Sequence, residues 1–279
     1  MKKIGFIDYF LNEWHANNYP AWIEEATGGE MKVCYGYGMI PQPDGLTNEE
    51  WCEKMGIEYC ATEDELIEKS DYLIVLSPNN PEMHWELCQK ALRSGKPTYV
   101  DKTFAPDKAT AEAIFALAEE GKTPMWSSSA LRFSNEILDL DTSKIDSIVS
   151  VGSGVMQIYL IHQVEPIVKL MGTEVEKVMY TGTDVTPHIV LQYKDGRVAT
   201  IAHMPEAPFA LYINNTDGTT VSIPSTTEFF PNLMKALIAF FESNGEKVGA
   251  PKEQTIAVIA IIEAAMEAKK TPGVWVNVK

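Results

Sequence analysis

Strand and helix signals alternate through the first half of the chain, and this alternation constrains the fold more than any other feature of the sequence. Short apolar runs lie at residues 3–7, 31–35, 72–77, 98–100 and 124–127. Runs of this length, several with prominent Val and Ile, are what strands buried on both faces require. The stretches between them carry helix punctuation. Thr47 with Glu50, and Thr62 with Glu65, have the spacing at which a hydroxyl and a carboxylate satisfy the free amides of a first turn. Residues 81–93 read as a helix with Gly95 just past its end, and 107–120 as another with Gly121 at its exit. Such alternation predicts a doubly wound parallel sheet over residues 1–127.

The pattern changes after about residue 128. Residues 188–193 and 197–203 alternate around Asp195-Gly196, and 210–214 and 219–223 flank Asp217-Gly218. Asp-Gly between two alternating runs is a hairpin signal, because both turn residues need positive φ. Two amphipathic helices, 232–241 and 254–270, and a last strand at 274–278 complete a second domain over 128–279, α+β with a mostly antiparallel sheet.

Charge narrows the function classes. With 23 Lys and Arg against 39 Asp and Glu, the net charge is −16. Nucleic-acid and anionic-membrane surfaces need basic patches, so neither partner is expected. The cysteines Cys34, Cys52, Cys60 and Cys88 form no CxxC pair and no metal-ligand spacing with histidine, and read as reduced thiols. The apolar run at the start stops at Asp8, too short for a signal peptide, and no 18-residue apolar window follows. A cytoplasmic protein without a metal site is expected.

Residues 72–105, "YLIVLSPNNPEMHWELCQKALRSGKPTYVDKTFA", resemble the Gfo/Idh/MocA (glucose-fructose oxidoreductase, inositol dehydrogenase) family. The matching positions are Ser77-Pro78-Asn79 in the turn after a strand, then His84, Gly95-Lys96 and Asp101-Lys102-Thr103. "SSALRF" at 128–133, the hairpin "HIVLQYKDGRVATIAHMPEA" and the closing helix and strand extend the likeness over nearly the whole chain. The resemblance implies a Rossmann-like first domain, NAD or NADP as cofactor, and oxidation of a sugar, cyclitol or related polyol by hydride transfer. It implies Lys102 as the group beside the reacting hydroxyl and His162 as its assistant. For cofactor contacts it points to Asp8, Tyr9, Phe10, Ser77, Pro78, Asn79, His84, Asp101, Lys102 and Arg132. It also implies a homo-oligomer built through the C-terminal sheet.

Elementary chemistry agrees for Lys102: a lysine beside a hydroxyl that loses hydride steadies the developing alkoxide and relays its proton. A solvated lysine at a strand end is the competing reading. His162 lacks the acidic neighbour four residues earlier, where the chain has Ile158, and Glu165 takes the later acidic position. It reads equally as a helix-start histidine held by backbone. His84 fits a loop-fixing role, and Arg132 either an anion contact or a surface arginine. His15, His188 and His203 have no partner visible in the sequence.

The first turn departs from the pattern. Where a dinucleotide fold places glycines, so that backbone can approach the pyrophosphate, this chain has Asp8, Phe10 and Glu13. A carboxylate roughly 4 Å from a phosphate charge repels it by about 4 kcal/mol at an effective dielectric near 20, about three decades of affinity. The second strand offers Tyr35 and Gly36, with no carboxylate for a ribose. Two readings stay open: a polyol-directed oxidoreductase with a shifted cofactor, or a relative that has lost dinucleotide binding and serves as a sugar-binding or regulatory protein. In the second, Asp8 among Tyr9, Phe10 and Trp14 suits a polyhydroxylated or cationic ligand. Residues 153–160 leave little room for a substrate wall, so the pocket is expected to be shallow or completed by a neighbouring subunit.

Overall fold

The strand β1 (Lys2–Asp8) leads into α1 (Trp14–Thr27), and the first unit continues with β2 (Met31–Gly38), α2 (Asn48–Met55), β3 (Glu58–Tyr59), α3 (Glu63–Lys69), β4 (Tyr72–Val75), α4 (His84–Ala91), β5 (Thr98–Val100), α5 (Lys108–Glu120) and β6 (Met125–Trp126). These six strands are all parallel, in the order β3-β2-β1-β4-β5-β6. Every residue of β4 and β5 is buried, which explains their unbroken apolar runs. The order reverses between β1 and β4, and open α/β sheets bind ligands at the carboxyl ends of the strands at such a point.

The computed structural model covers residues 1–279 as two units, Met1–Ser128 with Leu233–Pro251, and Ser129–Asn232 with Lys252–Lys279. The second contains α6 (Asn135–Leu138), β7 (Ile145–Gly152), α7 (Met156–Tyr159), α8 (Ile161–Met171), β8 (Val175–Gly182), β9 (Pro187–Tyr193), β10 (Val198–His203), β11 (Ala210–Asn215) and β12 (Thr220–Ile223). After α9 (Phe229–Glu242) come α10 (Lys252–Ala268) and β13 (Trp275–Asn277). The seven-stranded sheet runs β12-β11-β7-β10-β9-β8-β13, antiparallel except for the β7–β10 pair.

Three local expectations are refined. Both threonine caps form: Thr47 and Glu50 make the reciprocal box, whereas the Glu65 carboxylate accepts from Ala61 N–H instead of the cap residue. Gly121 is right-handed at φ −74°; a Cβ there would meet the Leu92 carbonyl, so close approach explains it, and Lys122 carries the positive φ. From Leu233 onward α9 belongs with the first unit, where Phe241 stacks on Tyr72 at 4.6 Å and Phe240 meets Trp126. The sequence pattern alone places all of 128–279 in the second domain. An amphipathic helix declares an apolar face but not which sheet that face covers.

One face of the second sheet carries a continuous cross-strand row. Tyr212 pairs with Val149, Val149 with Thr200, Thr200 with Val190, Val190 with Met179 and Met179 with Trp275. Tyr212, Val149 and Trp275 are each nearly two-fifths exposed, and the other three are half-buried. No helix of either unit is long and apolar enough to cross a membrane.

Candidate active site

The carboxyl ends of β1, β4 and β5 bring together Asp8, the Ser77–Asn80 turn, and Asp101-Lys102. Asp8, Tyr9, Phe10, Glu13, Ser77, Pro78, Asn79 and Asn80 line one narrow cleft, with room for roughly one water. This is the switch point of the parallel sheet. Ser77, at φ 100°, turns the chain out of β4, and its hydroxyl donates to the Asn80 carbonyl. A non-glycine residue in that region is held there only by its surroundings.

The turn after β1 is tied down from the α2 side. Asn48 accepts from Leu11 N–H and donates to the Gly38 and Ile40 carbonyls. Gly38 is needed because a Cβ would strike the Asn48 side chain. β2 runs to Gly38, beyond the predicted end at Tyr35, and its final residues still present no carboxylate for a ribose.

Glu13 is the N-cap of α1, and its carboxylate accepts from His15 and Ala16 N–H. Asp8 Oδ1 accepts from Tyr9 N–H at 2.7 Å, while its Oδ2 is buried without a hydrogen-bond partner. Burial, with Glu13 nearby, holds the Asp8 carboxyl well above the usual carboxylate range. Burial likewise raises Glu13 to about 7, against the pull of His15 and the capped amides.

The next layer was not visible in the sequence. His15 Nδ1–H donates to Asp101 Oδ2, and the imidazole stacks on Tyr19 with centroids 5.0 Å apart. The opposite nitrogen, Nε2, has no hydrogen-bond partner in the chain. A carboxylate on one imidazole nitrogen fixes the orientation of the ring. Asp101 is fully buried; burial pushes its carboxyl up, but the charges of His15 and Lys102 hold it below its ordinary value. Its Oδ1 accepts from Lys102 N–H at 2.8 Å.

Lys102 is buried, and its Nζ donates to the Pro78 carbonyl at 3.2 Å. Burial lowers its ammonium pKa, opposed by Asp101 and Glu13. The peptide joining Lys102 to Thr103 is cis. One bond leaves two of its three donor directions available. His84 faces the Phe104 carbonyl with Nδ1 (3.0 Å) and the Leu76 carbonyl with Nε2 (2.8 Å), leaving neither nitrogen for a ligand. It fastens the end of β4 to the chain leaving β5.

His162 and Arg132 lie in the second unit. His162 Nδ1 is 2.7 Å from Ser129 Oγ, and its ring meets Tyr159 and Phe209 edge-on. Arg132 is buried, donates to Glu165 at 3.0 Å and to Gln254, and its carbonyl accepts from Lys169. Its guanidinium is thus engaged inside the unit, with Glu165 as partner. His203 also has partners, Gln163 and the Gly154 carbonyl. No group of three or more His, Cys, Asp or Glu side chains is placed to hold a metal ion.

A six-stranded parallel sheet of this order followed by a second, mostly antiparallel sheet defines a two-domain fold with a Rossmann-like first unit. Residues 39–128 match the family described as Oxidoreductase family, NAD-binding Rossmann fold (GFO_IDH_MocA). This match, confined to residues 39–128, bears out the resemblance to the Gfo/Idh/MocA family read from residues 72–105. No curated protein matches it in sequence.

Solved structures share the fold along the whole chain. A probable dehydrogenase from Thermotoga maritima is 15% identical, with a TM-score of 0.82 over 99% of this chain and 98% of that one. Apo scyllo-inositol dehydrogenase from Lactobacillus casei is 17% identical, with a TM-score of 0.75 over 100% and 98%. An oxidoreductase from Agrobacterium radiobacter, in complex with NAD+, L-tartaric acid and magnesium, is 14% identical, with a TM-score of 0.77 over 99% and 98%. At these identities the likeness speaks for the fold.

The fold implies a dinucleotide, and its diphosphate belongs at the start of α1. The residues there do not fit it in this conformation. The His15, Ala16 and Tyr9 amides are taken by the carboxylates of Glu13 and Asp8.

Proposed function

We propose that the protein is an oxidoreductase acting on a hydroxyl-bearing carbon of a sugar, cyclitol or related polyol, with NAD or NADP as the hydride acceptor. The carrying observation is the buried Asp101-Lys102 pair at the carboxyl end of β5, beside the switch point. A lysine whose ammonium form is weakened by burial is more often in the neutral form that can accept a hydroxyl proton near neutral pH than a solvated one. Asp101 positions both Lys102, through its backbone amide, and His15. The family resemblance supports His162 as an assistant, and its Ser129 contact holds the ring by one nitrogen. The test is a panel of free sugars, cyclitols and acyclic polyols, each offered with NAD+ and with NADP+. Reduction of either dinucleotide by at least one compound is expected; none with any compound would overturn the reading.

The filled amides at the start of α1 favour a second reading, a non-redox relative that binds a sugar or polyol. It predicts saturable polyol binding by calorimetry with no dinucleotide reduction.

We also infer a homo-oligomer through the outer face of the second sheet. The row from Tyr212 to Trp275 is continuous and apolar apart from Thr200. Light scattering on the eluting protein should give at least a dimer, and Val190→Lys should give a monomer of unchanged helix content. A monomeric wild type would overturn this.

A further inference from the structure

In this Rossmann fold the free amides at the start of α1 are an anion seat, because N–H groups and the helix dipole point the same way. Here the seat is filled from within. Glu13 reaches the His15 and Ala16 amides with both oxygens, and Asp8 takes the Tyr9 amide with one. The other Asp8 oxygen is buried with no partner, on a residue only 1% exposed that lines the cleft. Such an oxygen is costly to keep unless it gains a donor or a proton.

We propose that Asp8 and Glu13 are a built-in anion in the diphosphate seat, so that a dinucleotide binds only as this pair gives up the amides and, still beside the diphosphate, is neutralised by a proton. The proposal rests on the dinucleotide-dependent reading for the identity of the ligand. The groups facing the pair are His15 and Tyr19 on α1, and Asp101 and Lys102 at the exit of β5. The Ser77–Asn80 turn contributes uncharged side chains. Asp101 already pairs with His15, so it adds negative charge without relieving the carboxylates. Lys102 donates to Pro78 and forms no ion pair with either carboxylate. The arrangement therefore favours proton uptake over charge pairing.

The sign follows from the direction of the shifts. Burial raises both carboxyls, Glu13 to about 7. Below that pH Glu13 is neutral, and displacing it by an anion needs no further proton. Above it a Glu13 that stays beside the bound diphosphate must take up a proton as the dinucleotide binds, so affinity weakens by about tenfold per pH unit for one proton.

The experiment is an equilibrium titration with NADH, followed by nicotinamide fluorescence, on the wild type, Glu13→Gln and Asp8→Asn, from about pH 6 to 9. The wild-type dissociation constant should rise with pH above about 7, whereas Glu13→Gln should give a flatter curve and bind at least tenfold tighter at the alkaline end. Asp8→Asn should shift affinity the same way. The wild-type curve needs no variant, so a misfolded substitution leaves the test intact. A pH-independent wild type matched by both variants would overturn the proposal and leave the dinucleotide reading standing. Absence of NADH binding by all three proteins at every pH would overturn both. Binding by the variants alone would support the filled seat and remove the redox role of the native protein.

Discussion

Lys102→Met is expected to lower turnover by about a thousandfold or more while NADH affinity changes little. The side chain is buried at the end of β5 and donates to the Pro78 carbonyl. Methionine retains most of the stem, so the pocket keeps its filling and loses the amine. The native amine has two contributions to lose: a donor for developing negative charge on the substrate oxygen and an acceptor for its proton. Lys102→Arg separates them, since a guanidinium keeps the charge and cannot give up its proton near neutral pH. Its turnover should stay close to that of Lys102→Met. A variant with undiminished turnover would remove Lys102 from the reaction. The pH profile supplies a second check, because burial weakens the ammonium form. The alkaline onset of activity should therefore lie below that of an ordinary lysine and vanish in the methionine variant.

The second large effect concerns stability. Arg132→Met should cost about 3–5 kcal/mol, because it leaves the Glu165 carboxylate buried without its guanidinium. For a protein of this size that is a drop on the order of 10 °C in melting temperature. The guanidinium also donates to Gln254, and Lys169 donates to the Arg132 carbonyl, so the change touches α8 and α10 together. Burial, reinforced by the Arg132 charge, lowers the Lys169 ammonium to about 8; removing that charge should move it upward. The double variant Arg132→Met/Glu165→Leu should recover much of the loss, since an apolar pair leaves no stranded charge. Thermal unfolding of the singles and the double measures the coupling. A single variant with unchanged melting temperature would show that the ion pair is dispensable.

Features encoded locally were legible in the sequence; features set by distant pairing were not. The Asp-Gly hairpins, the threonine caps and the buried strands β1, β2, β4 and β5 each rest on neighbouring residues, and each forms. β3 is two residues long and half polar, so it shows no apolar run. The parallel β7–β10 pair joins strands about fifty residues apart, with nothing local to announce it. At the site, the lysine at the end of β5 and the acidic first turn both stood in the chain as motifs. His15 did not, because its partner Asp101 lies 86 residues away and only the parallel sheet brings them together. Even the departure of the first turn was half legible: Glu13 was readable as a repelling charge, but not as a helix cap that satisfies the amides a phosphate would use.

The most direct test of the account follows hydrogen itself. A polyol that reduces NAD+ or NADP+ in the panel, deuterated at its hydroxyl-bearing carbons, would be incubated with the wild type and with Lys102→Met. The wild type should move deuterium to the nicotinamide ring, and the variant should not. Reduced nicotinamide without deuterium, or equal transfer by both proteins, would contradict it.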